Sequence, residues 1–389
     1  GSSSSSCSST PPARPSFYGA MPRPGDYGGG AQPRRRVQAD DGEEPSKFYF
    51  GDLRREGRYV PKHPELFEQP ARWEEWLHPD FLKAYAEAEE ALADLEERLH
   101  AQSPDGQAAA VARDVLLLRP EGKEVVRSAW SSALTLECQG GGPGVYSFEA
   151  FTPEFCALLV DEIDYAQAKY SSLLMRPNGM NRYGMVLNQL GLEPAITHLQ
   201  QKYIQPLQHY LYGREGFAPD DHHCFVVRYS KLEDVGLDMH SDSSDVTLNV
   251  CLGQNFTGST LTFCGLVGNS DHRVQQHVYH HRIGRAVIHL GRQRHGADDL
   301  ESGERLSFIL WNTSKLWRQS EGYFKVMAQR KRAAEAPPDT VCLSYTHDED
   351  YRKFKQALPK AYAVRRGVML DRVQSDPENQ AKWARRGGG

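Results

Sequence analysis

The sequence predicts an α+β protein, a jelly-roll core with supporting helices and a helical N-terminal extension. Three observations lead there. Apolar residues recur at helical spacing before about residue 215, short β-branched and aromatic runs take over from Cys224, and Gly, Asn and Asp punctuate those runs. Short, regularly interrupted strands of this kind suit two packed sheets.

In chain order, residues 1–45 mix Ser, Pro, Gly and charge with few apolar anchors. Such a segment cannot offset the entropy of ordering and is expected to be a disordered tail. Residues 46–138 read as a helical region in which Phe81, Tyr85, Ala88, Leu92, Leu95 and Leu99 share one stripe. That stripe suits a coiled-coil seam or, more commonly, packing against the next domain. Gln139-Gly-Gly-Gly-Pro-Gly144 reads as a hinge or linker, which makes residues 145–315 a separate domain.

That domain begins with two helices. Thr152 caps the first, with Pro153 at the opening position and Phe155, Leu158, Leu159 and Ile163 on one face. The second carries Ile196, Leu199, Tyr203, Leu207 and Leu211, and Gly213 ends it. Strands are expected over 225–229, 246–252, 260–263, 276–280, 286–290 and 306–311. Residues 316–389 read as a C-terminal extension, partly disordered, with Ala336-Pro337-Pro338 and a basic end at Arg385-Arg386.

Composition narrows the partners. The net charge of -5 gives no overall attraction for phosphate backbones, so nucleic acid is not expected. Arg34, Arg35 and Arg36 form a basic run inside the tail and read as solvated. No apolar run approaches the roughly 20 residues that span a bilayer, so membrane insertion is not expected. The seven cysteines are scattered without C-x-x-C spacing, which favours a reducing compartment, cytoplasmic or nuclear. The first 25 residues lack Asp and Glu and are rich in Ser, which also loosely resembles an organelle transit peptide. Oligomeric state has no signal in the sequence.

Four histidines begin an H-x-D/E triplet: His63, His78, His240 and His347. About two would arise by chance, so context must select. His63 and His78 carry Pro in the middle position, which argues against a regular strand, and His347 lies in an acidic run. His240-Ser241-Asp242 alone sits between expected strands, where residues i and i+2 share a face and can grip one ion. A surface turn with a hydrogen-bonded Asp would account for it too.

His295 follows 53 residues after Asp242, and Arg305 comes after nine more intervening residues. Two His and one carboxylate make the facial set that leaves positions open on non-haem Fe(II). An arginine supplies a permanent forked cation for a carboxylate. His289 competes for the third position, but ten residues after it stands Asp299, which could not hold an anion. His280 and His281 read as ordinary strand residues, and Arg292 and Arg294 as loop chemistry or substrate contacts.

These segments, His240-Ser-Asp242, Val246 to Leu252, Phe256 to Phe263, Gly291-Arg-Gln-Arg-His-Gly296 and Gly303-Glu-Arg305-Leu306, resemble a known family. It is the prolyl and lysyl hydroxylase-like branch of the 2-oxoglutarate and Fe(II)-dependent oxygenase superfamily, on its lysyl hydroxylase side. The likeness spans roughly residues 146–313 and includes Arg176-Pro-Asn-Gly-Met-Asn-Arg-Tyr-Gly184. It is specific for the superfamily and weak for substrate.

The resemblance implies a double-stranded β-helix with Fe(II) on His240, Asp242 and His295. It implies 2-oxoglutarate held by Arg305 and Tyr229, O2 as co-substrate and dependence on ascorbate (vitamin C). Thr247, Asn249, Cys251 and Leu261 are inward positions that suit either the co-substrate pocket or plain core packing. Where family members often carry a Gly pair, this chain has Gly258-Ser259, and little consequence is expected. The expected function is a dioxygenase that hydroxylates Lys or Pro of a protein or peptide, with 178–190 as a substrate lid or a plain connection. The alternatives are an oxygenase acting on a small molecule, a non-catalytic jelly-roll module recruiting a partner through its helical region, and a hydrolytic zinc site.

Overall fold

The computed structural model describes residues 51–101, 113–139, 142–270 and 272–333. The expected tail over 1–45, the segment beyond 333 and His347 lie outside these residues.

Twelve strands among the described residues form two sheets. In chain order they are β1 (Thr135–Cys138), β2 (Val145–Glu149), β3 (Gly184–Val186), β4 (Asp221–Ser230), β5 (Leu237–His240) and β6 (Val246–Gly253). There follow β7 (Phe256–Gly258), β8 (Leu261–Leu266), β9 (Gln275–Tyr279), β10 (Arg285–Leu290), β11 (Gln293–Ala297) and β12 (Leu300–Thr313). The large sheet runs β1-β2-β10-β6-β12-β4-β3, with β7 on β12, and the small sheet runs β5-β11-β8-β9. All neighbours are antiparallel and most are non-consecutive, as a double-stranded β-helix requires.

β6 shows why the sequence folds this way. All eight of its residues are buried, so the strand must be covered on both faces. Val246, Leu248, Val250 and Leu252 join a core with the helices, whereas the odd positions point between the sheets. β12 repeats the pattern with Leu306, Phe308 and Leu310 on the helical side. Between the sheets, Val145, Phe225 and Val227 of the large sheet pack with Leu261, Phe263 and Ala297 of the small one.

The helical region packs on the outer face of the large sheet. Pro79–Ala101 buries Phe81, Ala84, Ala88, Leu92 and Leu95, leaving Tyr85 and Leu99 partly buried at the margin. Phe81 stacks on Phe148 of β2 with centroids 5.0 Å apart, and Trp73 meets Phe155 at 5.0 Å. Each such side chain contributes on the order of 2 kcal/mol by leaving water. The stripe is therefore core packing, against Trp130, Tyr203 and, through Phe81, the sheet, and not a coiled-coil seam.

The glycine run was expected to separate two domains, but β1 and β2 on either side of it pair as a hairpin. Residues from Leu53 to Leu310 share one apolar cluster across it. The described residues on either side of it therefore belong to one core.

The helix Pro153–Tyr170 starts as expected, with Thr152 Oγ1 accepting from Phe155 N at 3.3 Å. The second helix is Glu193–Leu199 continued through Gln205–Tyr212, and Gly213 ends it at φ +57°. Within the expected C-terminal extension, Glu321–Ala333 is helical. No helix among the described residues is long and apolar enough to cross a membrane.

Candidate active site

The small sheet brings the metal candidates together. His240 ends β5 and lies directly opposite His295 in β11, with ring centroids 4.4 Å apart. Asp242 follows in the turn beyond β5, where its backbone N–H donates to Gly291 O at 2.8 Å. One ligand atom from each of the three lies within 4.8 Å of the others, the only such His/Cys/Asp/Glu group among the described residues. Asp242 sits 3.4 Å from His240 Nε2 through one oxygen and 3.8 Å from His295 Nε2 through the other.

Neighbouring bonds hold these groups in ligand form. The ring of His295 donates from Nδ1 to Gln293 O at 2.9 Å, which turns the Nε2 lone pair towards Asp242. Asp242 Oδ2 accepts from Thr247 Oγ1 at 2.7 Å, and Thr247 is itself bonded to Ser244. Burial pushes the His295 pKa down to about 3. Burial alone would raise that of Asp242, but His295 and His240 beside it hold it well below the usual carboxylate range. A neutral His295 imidazole facing an ionised carboxylate suits a divalent cation.

A cleft of about 430 Å³, counting the solvent at its mouth, runs from these residues between the sheets. Tyr229, Thr247, Asn249, Leu261 and Arg305 all line it. Cys251 does not; it is buried on the same face of β6, close enough to feel the charge of Arg305. Arg305 is 1% exposed, and its guanidinium lies 4.6 Å over the Tyr229 ring. Among the described residues no carboxylate pairs with it, and its Nε has no partner. Asn249 Oδ1, Ser307 Oγ and Trp311 Nε1, also at the cleft, are buried without partners. Buried polar atoms left open on a cleft wall fit a polar ligand.

His289, the rival third ligand, packs edge-on against His295 at 4.7 Å and is not in the ligand group. His281 is no strand residue, because β9 ends at Tyr279. It accepts a hydrogen bond from Arg305 instead. Sequence reasoning missed that, along with Asn181, which donates to Tyr229 OH at 3.4 Å, and Trp311 and Ile309 on the β12 wall. Alternation along β12 from Arg305 through 307, 309 and 311 could have found the last two.

Arg292 is held by both carboxylate oxygens of Glu215 at 2.9 Å, so it is a structural pair and no substrate contact. Arg294 lies within β11, not in a loop. Of the lid segment, Asn178, Met180 and Asn181 reach the cleft, whereas Met185 to Leu192 are buried in β3 and the helix after it. Ser259 takes φ +51°, the left-handed region that glycine favours, so Ser at that position carries backbone strain.

Two antiparallel sheets thus enclose a His-Asp-His group and a buried arginine. Residues 113–216 match the OGFOD2-like domain, a match that ends before β4 and so covers scaffold and not the metal group. The chain is 37% identical over 190 residues to the 2-oxoglutarate and iron-dependent oxygenase domain-containing protein ICU11 of Arabidopsis thaliana, covering 46% of this chain and 48% of that protein. It is 38% identical over 178 residues to the human 2-oxoglutarate and iron-dependent oxygenase domain-containing protein 2, covering 45% and 51%. A procollagen lysyl hydroxylase and glycosyltransferase of Acanthamoeba polyphaga mimivirus is 28% identical over 174 residues, covering 42% and 19%. The chain thus spans about half the length of the first two relatives.

Proposed function

We propose that this protein is an Fe(II)- and 2-oxoglutarate-dependent dioxygenase that hydroxylates a Lys or Pro side chain of a protein or peptide, with release of succinate and CO2. The observation that carries the reading is Arg305: a buried cation, unpaired with any described carboxylate, lining the same cleft as the His-Asp-His group. Burying an unpaired charge is costly, and an anionic ligand relieves that cost.

His240 and His295 would hold the metal through their imidazole nitrogens and Asp242 through a carboxylate oxygen. Arg305 would take the distal carboxylate of 2-oxoglutarate in a charge-assisted pair, with the Tyr229 hydroxyl beside it. Asn249, Ser307 and Trp311 offer one acceptor and two donors along the wall between. Bound Fe(II) and 2-oxoglutarate supply the activation of O2 and the oxidative decarboxylation that drives hydroxylation. The chain's own task is to orient these groups and exclude water from the enclosed end. Met180, 43% exposed, with Asn178 and Asn181, offers the entering side chain its first contacts. A protein or peptide substrate is favoured by the similarity to a lysyl hydroxylase, and ascorbate dependence rests on the same similarity.

The recruiting-module reading loses its main support, because the apolar stripe of Pro79–Ala101 is buried in the chain's own core. The test is anaerobic titration of the Fe(II)-loaded chain with 2-oxoglutarate, followed by mass spectrometry of a peptide library after adding O2. Absence of 2-oxoglutarate binding would sink the oxygenase reading. Binding and succinate formation with no oxygenated peptide would sink the peptide substrate alone.

A further inference from the structure

The way Arg305 is held differs from that of four other arginines among the described residues. Arg228 pairs with Asp164 and Glu304, Arg285 with Glu149, Arg292 with Glu215 and Arg318 with Asp245. These four are partly exposed and each has a carboxylate. Arg305 is the most buried and has a histidine: its Nη1 donates to His281 Nε2.

That hydrogen bond fixes the chemistry of His281. An Nε2 that accepts from a guanidinium carries no proton, so the ring's proton is on Nδ1 and the side chain is neutral. Burial, and then the charge of Arg305, keep its pKa well below the usual histidine range, consistent with that state. The ring is also fixed in place. Tyr279 meets it edge-on at 5.2 Å, and the turn carrying it is tied to the large sheet by the Ile283–Cys251 bridge and by Gly284 N donating to Cys251 O at 2.8 Å.

We propose that His281 is a positioning and specificity-determining residue, a neutral acceptor that aims the Arg305 guanidinium into the cleft while leaving its charge uncompensated, so that the site retains ligands bearing a carboxylate at that end. A carboxylate in place of His281 would orient Arg305 equally well and cancel the charge that selects the ligand. An apolar residue would leave the charge but release the guanidinium. This rests on the co-substrate reading above and adds a residue that the reading does not contain.

Three variants of the full chain separate these effects: His281→Gln, His281→Leu and His281→Glu. Each is loaded with Fe(II) under anaerobic conditions and titrated calorimetrically with 2-oxoglutarate, with metal affinity and circular dichroism measured alongside. Gln, which keeps a neutral acceptor, should stay within about threefold of the parent. Leu should weaken 2-oxoglutarate by about tenfold, and Glu by about a hundredfold, the range for residues supporting a ligand-binding group. Metal affinity should not move, and in turnover the Leu variant should raise KM for 2-oxoglutarate and spare kcat.

A Glu variant that binds 2-oxoglutarate like the parent would overturn the proposal. So would a Gln variant as weak as Leu, because the ring's packing and not its acceptor would then matter. Should Glu fail to fold, the Gln and Leu pair still decides. A parent chain that binds Fe(II) but no 2-oxoglutarate overturns the co-substrate reading itself, and this proposal with it.

Discussion

At the metal end of the cleft, His240 and His295 come from strands of four and five residues in the small sheet, and Asp242 from the turn beyond one of them. At the cation end, Arg305 stands in a strand of 14 residues, opposite Tyr229 in an unbroken ladder with β4, although the ladder with β6 shifts register between Leu306 and Ser307. The metal group is already compensated in part, since Asp242 accepts from Thr247 and faces two imidazoles. The cation has no carboxylate paired with it among the described residues. Short irregular strands let three donors converge on a point, whereas a long strand fixes one side chain at a set depth. The two ends should therefore fail separately when changed.

The largest effect is expected from Asp242→Ala, which removes the only charged member of the metal group. Fe(II) binding by calorimetry and turnover should both be lost, while the circular dichroism of the two sheets is kept. Arg305→Ala comes next. It should weaken 2-oxoglutarate by about a hundredfold or more, the scale for truncating a buried charge partner, and leave Fe(II) affinity nearly unchanged. Equal loss of both ligands would collapse the distinction between the ends. Thr247→Val keeps shape and removes the bond to Asp242, so metal affinity should fall by about 10-fold, at most about 100-fold.

A smaller effect concerns stability away from the site. His222 and His223 on β4 are buried, and burial pushes the pKa of each down to about 4, against about 6.5 for an unperturbed histidine. Between these values the unfolded chain takes up protons that the folded chain refuses. Stability is thus highest above pH 6.5, falls as pH drops towards 4, and levels off below that for these groups. The loss at pH 5 is on the order of 2 kcal/mol per histidine. Urea midpoints at pH 7.5, 6 and 5 measure it, and a flat series would count against the burial of this pair.

The sequence revealed the chemistry better than the topology. His240, Asp242, His295 and Arg305 were singled out from residue type, order and strand context, and the structure brings them to one cleft. β5 and β11, which carry the two histidines, were not foreseen, since four or five residues with Gly or charge among them show no period. β1 escaped for a related reason: Thr135 and Leu136 are exposed on an edge strand, and the glycine run after them looked like a linker. His281 was misread because its role comes from Arg305, 24 residues away and reached only after the sheets close.

The aromatic contacts of Phe81 and Trp73 with Phe148, Phe155 and Phe308 bear on how the protein can be divided. Trp73 and Phe81 cover part of the outer face of the sheet that carries Arg305, beside the helix Pro153–Tyr170, so a fragment beginning at Val145 would lose the cover over Phe148, Phe155 and Phe308. Such a fragment should be insoluble or adhesive, and any binding seen with it would report the missing cover. The smallest unit that can be assayed for catalysis therefore starts upstream of the residues that perform it.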